Sequence, residues 1–141
     1  AGGLRLPKSD TTPIETKDDK ANIRSQNDIE MDGLSVWSFI NSVVPKQINS
    51  LLQQNNMVIY DIDQFIFHQA SKMTLESIKK ILNLDEKRVF INIQNIGNTV
   101  SASIPIALKE AMKQNKIDSG SIVILSGFGV GLSYGAILME F

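Results

Sequence analysis

The sequence predicts a mixed α/β layer structure, and three features predict it. Apolar stripes at three- and four-residue steps alternate along the chain with short runs rich in β-branched and aromatic residues. Two of those runs, ending at Phe67 and Ile93, each lead through a polar turn into a helix start, the first at His68-Gln69-Ala70-Ser71 and the second at Gln94-Asn95-Ile96-Gly97-Asn98-Thr99. The last two runs are separated by a glycine-rich stretch suited to a hairpin. In open α/β sheets the strand-to-helix turns lie at the carboxyl ends of the strands, where ligands bind. The single histidine, His68, and Asn98 one unit later therefore stand where chemistry is expected.

Composition narrows the classes. A chain of 141 residues, 43% hydrophobic and 21% charged, suits one globular domain with a core rather than a disordered segment. Fourteen basic against fifteen acidic side chains, a net charge of -1, supply no overall field for nucleic acid or an anionic membrane. The absence of cysteine removes disulfides, thiolate metal ligands and any cysteine nucleophile from this polypeptide, and no metal site is expected. No apolar run reaches the ~18 residues that span a bilayer, and the beginning lacks a secretory pattern, so the reading is a soluble, cytoplasmic protein.

In order, residues 1–33 are polar, hold Pro7 and Pro13, and carry a dense charge run at 15–20 without either period, which reads as a lead-in arm or long loop with a solvated surface. So long a lead-in reads as part of something larger, and its opening residues as the continuation of a preceding segment. From 34 to 55, Trp37, Ile40, Val44, Ile48, Leu51 and Leu52 form an amphipathic helix that Pro45 should kink or break, with Trp37 as a core anchor. Residues 62–67 make a short strand, and Ser71 caps a helix striped by Leu75, Ile78, Ile81 and Leu82. Residues 89–93 are the next strand. The helix opened by Asn98-Thr99 is apolar around much of its circumference, as a helix buried on more than one side would be; Ser101, Ala102 and Ser103 admit a close neighbour, and Pro105 should bend its first turns. Residues 122–125 and 134–141 are two strands joined through Gly127-Phe128-Gly129-Val130-Gly131. The order is α, β, α, β, α, β, β.

By itself a histidine at a strand end is more often a structural, hydrogen-bonded residue, and Asn98 a simple helix cap. Three motifs in order reverse both readings. His68-Gln69-Ala70, then Gly97-Asn98-Thr99 with Ser103-Ile104-Pro105-Ile106-Ala107-Leu108, then Gly127-Phe128-Gly129-Val130-Gly131-Leu132-Ser133-Tyr134-Gly135, together resemble the C-terminal half of 3-oxoacyl-(acyl-carrier-protein) synthase III. Met31-Asp32-Gly33 and the helix after it resemble the segment before that family's histidine strand, so the resemblance runs over roughly residues 30–141.

The resemblance implies a thiolase-like fold of two similar halves, a mixed β-sheet packed with helices, of which residues 34–141 are the C-terminal domain; the N-terminal half would supply a nucleophilic cysteine. It implies an acyltransferase of fatty-acid biosynthesis or a related pathway, a homodimer when complete. The cysteine takes an acyl group from acyl-CoA, and the histidine and asparagine assist decarboxylative condensation with a malonyl thioester on acyl-carrier protein. His68 and Asn98 carry over as the catalytic pair, and the backbone N–H of Val130 as part of an oxyanion site for the acyl-cysteine carbonyl. Gly33, Trp37, Ala70, Ser71 and Phe128 carry over to the substrate and coenzyme A site, with Phe128 suiting either a pocket wall or the core. Coenzyme A thioester and carrier-bound phosphopantetheine enter as substrates, with no covalently held cofactor. The chemistry is self-consistent. Decarboxylation pushes charge onto the thioester oxygen, which needs preorganised neutral donors. A histidine near a helix N-terminus is kept neutral by the dipole, and Asn98 offers an amide N–H.

The chain departs from the family pattern at three places. Ser71 stands where asparagine commonly follows His-Gln-Ala, Lys72-Met73 where Leu-Arg often follows, and Val130 where the middle glycine is usual. The first two positions bear on coenzyme A contact and carrier-protein docking, so Lys72 becomes the docking candidate. Two other functions stay open at this level: a thiolase-fold acyltransferase with an oxygen or nitrogen acceptor, and a noncatalytic partner subunit.

Overall fold

The structure is a computed structural model that describes residues 1–129 and 131–141, and it divides into the units Ala1–Asp32 and Gly33–Phe141. The first unit is less irregular than a polar arm would be. Strand β1 (Thr16–Lys17) pairs antiparallel with β2 (Ile23–Arg24), Thr16 opposite Arg24 and Lys17 opposite Ile23. The turn between them is organised by the Asp18 carboxylate, which accepts the backbone N–H groups of Lys20 and Asn22, each at 2.9 Å, and the Asn22 side-chain amide. Those bonds, the Asn22 side chain's first, hold the Asp18 carboxyl below its usual value.

The second unit opens with α1 (Gly33–Gln54), in which Ile40, Val44, Ile48 and Leu52 recur every four residues and are buried. Pro45 neither breaks nor ends this 22-residue helix. It leaves the Asn41 carbonyl without the usual i+4 partner, and the buried stripe on both sides holds the turns together. Trp37 is a correction: it is only half-buried and belongs to neither apolar core, because Val36, Ile40 and Val44 face the sheet one step round the helix. A 3₁₀ turn, Ile59–Asp61, then leads to β3 (Gln64–Phe67), four residues buried on both faces. Ser71 caps α2 (Lys72–Ile81), its Oγ accepting the Thr74 N–H at 3.1 Å. Leu75, Ile78 and Leu82 are buried as the stripe requires, whereas Ile81 is 51% exposed.

The strand expected over 89–93 is not formed. A 3₁₀ turn, Glu86–Arg88, is followed by a single parallel bridge of Val89 to Phe65, with the Phe90 N–H donating to the Phe65 carbonyl at 3.1 Å, and then by the one-turn helix α3 (Ile93–Ile96). The β-branched run lies along the edge of β3 but turns away after one pair, where Asn92 gives its N–H to the Gln69 side chain instead of to a strand. Gly97, at φ 69°, ends α3 in a conformation that a side chain would strain. A 3₁₀ turn, Val100–Ala102, runs into α4 (Ser103–Lys113), where Pro105 falls in the first turn and its missing N–H costs no helical bond.

Strands β4 (Ile122–Gly129) and β5 (Ser133–Glu140) pair antiparallel from Ile122–Glu140 to Gly129–Ser133. The glycine turn is therefore shorter than expected, since Gly127 and Gly129 belong to β4 itself. Gly131 has φ 141°, and a Cβ there would meet Ser133 at 3.1–3.3 Å, which restricts the position to glycine. The sheet order is β3-β4-β5, with β3 parallel to β4 and Phe67 beside Ser126. Phe65, Phe67, Ile124 and Phe128 face α1 and α2, while Ile66 and Val123 face Ala107 and Ala111 of α4. The sheet is thus the middle of three layers. No helix of the described residues is long and apolar enough to cross a membrane.

Candidate active site

His68 is the first residue past β3. Its N–H continues the ladder by donating to the Ser126 carbonyl at 2.8 Å, and its own carbonyl accepts the Ala70 N–H at 2.9 Å. The chain is thereby turned sharply between His68 and the capping residue Ser71. The imidazole is fixed from two sides. Nδ1 lies 2.6 Å from Ser103 Oγ, at the start of α4, and the ring stands edge-on to Phe128 of β4, with centroids 5.5 Å apart and planes at 73°. Burial lowers the His68 pKa below its ordinary 6.5. The dipole of the following helix favours a neutral ring, and the structure adds desolvation, with Phe128 and the start of α4 against the imidazole.

Asn98 reaches the same turn from the other side. Its Nδ2 donates to the Ala70 carbonyl at 3.2 Å, while its Oδ1 accepts the Val100 N–H at 2.9 Å. The second bond settles which end of the amide is which, so the NH₂ group faces the His68 turn. One hydrogen of that group is held by Ala70, which leaves the other for a ligand. Asn98 is exposed and His68 half-buried, so both open to one side of the sheet's carboxyl edge.

The remaining candidates divide. Ala70, Ser71 and Phe128 adjoin the His68 turn directly, and Phe128 is both a buried core side chain and the wall against the imidazole. Lys72 is exposed in the first turn of α2, with no ion pair among the described residues. Gly33 begins α1 and Trp37 lies one turn later; no hydrogen bond or ring contact among the described residues joins either to His68, though the Trp37 Nε1 is buried without a partner. Val130, the candidate oxyanion donor, lies outside the described residues.

Sequence reading missed two side chains. In the sequence Ser103 stands out only as a small residue and as part of the second motif; its place on the buried face of α4, four residues before Ala107 and eight before Ala111, is the available signal that its hydroxyl needs an internal partner. Gln69 is wholly buried and ties the turn after β3 to the segment 90–92. Its amide donates to the Phe67 and Phe90 carbonyls at 2.9 and 3.3 Å, and its carbonyl oxygen accepts the Asn92 N–H at 3.1 Å. Gln69, the histidine's neighbour in the motif, is thus the frame on which the histidine turn is hung.

Known proteins resemble this chain in sequence and in fold. Residues 52–141 match the family described as 3-oxoacyl-(acyl-carrier-protein) synthase III C terminal. The chain is 42% identical over 114 residues to a beta-ketoacyl-(acyl-carrier-protein) synthase III of Pyropia yezoensis, an alignment covering 81% of this chain and 35% of that protein. It is likewise 42% identical over 112 residues to the synthase III of Clostridium tetani, covering 79% and 34%. A 2.1 Å crystal structure of 3-oxoacyl-(acyl-carrier-protein) synthase III superposes with a TM-score of 0.92 at 31% identity, over 99% of this chain and 42% of that one. For the Aquifex aeolicus synthase III the TM-score is 0.77 at 30% identity, over 90% and 39%. The chain spans about a third of the length of the curated relatives it matches. In sequence over residues 52–141, and in its thiolase-like α/β fold, the chain belongs to the 3-oxoacyl-(acyl-carrier-protein) synthase III family.

Proposed function

We propose that the protein to which this chain belongs condenses an acyl group, carried on a cysteine of the region this chain does not span, with a malonyl thioester on acyl-carrier protein. The observation that carries the reading is the convergence on the turn at the carboxyl end of β3 of the His68 ring, whose pKa burial lowers, and the Asn98 amide, whose Nδ2 faces that turn. As the malonyl carboxylate leaves as CO₂, the electron pair of the broken C–C bond moves onto the thioester, and its oxygen becomes an enolate. Two N–H donors held in place stabilise that oxygen without reorganising. The enolate carbon then attacks the acyl-cysteine carbonyl, forming the new C–C bond and expelling the thiolate. Neither His68 nor Asn98 changes protonation state in this sequence, which agrees with a histidine whose pKa is lowered by burial.

Coenzyme A thioester and the phosphopantetheine of acyl-carrier protein are substrates in this reading, and no cofactor is held covalently. Ala70, Ser71 and Phe128 border the approach to His68, Gly33 and Trp37 are assigned to coenzyme A by family likeness, and Lys72 to the acidic carrier protein. The complete enzyme is taken as a cytoplasmic homodimer. In it, His68→Ala or Asn98→Ala should lower condensation by about 10²–10³-fold, the usual cost of removing one such donor, while single-turnover acylation of the cysteine persists. Equal loss of both half-reactions would refute the division of labour. Retained acyl transfer to an oxygen or nitrogen acceptor, with no release of CO₂ by the unsubstituted enzyme, would favour an acyltransferase instead.

A further inference from the structure

Ser103 is wholly buried at the first position of α4, and nothing in the reaction above touches it. Its Oγ has two neighbours. The Gln69 backbone N–H donates to it at 3.4 Å, and the His68 Nδ1 lies 2.6 Å away. A hydroxyl has one hydrogen to give and two lone pairs. The Gln69 N–H occupies a lone pair, because an amide N–H can only donate. Among the described residues no other acceptor faces the Ser103 hydroxyl hydrogen, so a donated bond from Oγ must go to Nδ1. Were Nδ1 protonated instead, the buried hydroxyl hydrogen would be orphaned, at a cost that buried donors rarely bear.

We propose that Ser103 is a positioning residue that fixes the tautomer of His68: its hydroxyl donates to Nδ1, so the ring proton resides on Nε2, the nitrogen that has no partner among the described residues. A neutral imidazole offers one donor and one acceptor, and only the Nε2–H form presents a donor to the open side. Burial makes the ring neutral; Ser103 decides which neutral ring it is. The Gln69 N–H bond completes the device, since it orients Oγ through the residue adjoining the histidine. Any movement of α4 against β3 therefore changes the tautomer balance as well as the distance.

The inference rests on the reading of His68 as an oxyanion donor, and its test separates the two. In the complete enzyme labelled with ¹⁵N-histidine, the His68 resonances are assigned by their loss in His68→Ala. They should have the pattern of a protonated Nε2 and an unprotonated Nδ1. Ser103→Ala, a substitution that suits a buried helical position, should mix the two tautomers. It should also slow decarboxylation by about tenfold, the lower end of the loss when a metal-bound histidine is deprived of its outer hydrogen-bond partner, without slowing cysteine acylation. Ser103→Thr, which keeps the hydroxyl, should restore both the spectrum and the rate. A protonated Nδ1 in the unsubstituted enzyme, or a rate loss in Ser103→Ala with the Nε2–H pattern intact, would overturn the proposal. If the tautomer behaves as described but His68→Ala still decarboxylates malonyl thioester normally, the oxyanion reading fails while the assignment of the proton stands.

Discussion

At the scale of single residues, what matters is that His68 is held neutral by its surroundings and not by a charge partner. Its pKa is lower folded than unfolded, so below pH 6.5 the unfolded chain binds more protons than the native one. The sign follows: the contribution of His68 to stability is fully present above 6.5 and is lost as pH falls from there toward the lowered folded value. Denaturant midpoints of the complete enzyme should therefore decline below about pH 6.5 less steeply in His68→Gln, which cannot titrate. Decarboxylation should for the same reason stay level to a pH below the ordinary histidine range, and an acid limb centred on 6.5 would contradict the burial argument. Beside Asn98, Val100 adopts φ 54° and is 72% exposed. A β-branched residue in the left-handed region is strained by about 1–2 kcal/mol. Val100→Asn keeps the N–H that holds the Asn98 carbonyl oxygen and tolerates that backbone, so it should raise stability by roughly 1 kcal/mol, read as a higher urea midpoint.

Among the elements, α2 has the clearest division between folding and function. Ser71 caps it, and Ser71→Ala should cost about 1 kcal/mol, whereas Ser71→Asn keeps a capping oxygen and should cost little. Lys72 sits at the opposite extreme. A cation in the first turn opposes the helix dipole, so Lys72→Glu should stabilise α2 by about 0.3–1 kcal/mol. If Lys72 steers an acidic carrier protein, the same change should raise the KM for carrier-bound substrate and flatten its salt dependence. A more stable enzyme that handles its carrier worse is the combined outcome expected; an unchanged KM at low salt would remove Lys72 from the docking surface.

At the scale of the whole molecule, the three layers leave apolar surface uncovered. On α4, Ser103, Ala107 and Ala111 meet the sheet, but Ile106 is 38% and Met112 47% exposed. On the same side of the sheet Ile137 of β5 is 54% exposed. Apolar surface left wet forfeits about 25 cal/mol per Å², a driving force for association. The 141-residue chain by itself is therefore expected to self-associate in sedimentation experiments, and Ile106→Glu with Ile137→Lys should shift it toward monomer. It is also expected to lack synthase activity, because it has no cysteine to carry an acyl group. A monodisperse monomer of the unsubstituted chain would mean that these faces are tolerated in water.

Local chemistry was enough to place most elements and to put His68 at the end of a strand, whereas the three motifs taken together singled out His68 and Asn98 as catalytic candidates. The Ser71 cap, the Ile40–Val44–Ile48–Leu52 spacing, and the His68 and Asn98 turns depend on neighbours within a few residues, where periodicity and capping act. Tertiary structure decided what depends on residues far apart in the chain. Whether residues 89–93 formed a strand was settled by the Gln69 side chain capturing Asn92, 23 residues away. Whether α1 survived Pro45 was settled by burial of its stripe against the sheet. The partner of the His68 ring is Ser103, 35 residues on, and its serine looks in sequence like any small helical residue. Side-chain hydrogen bonds between distant segments leave no period in a sequence, because their geometry exists only once β3, β4 and α4 have packed.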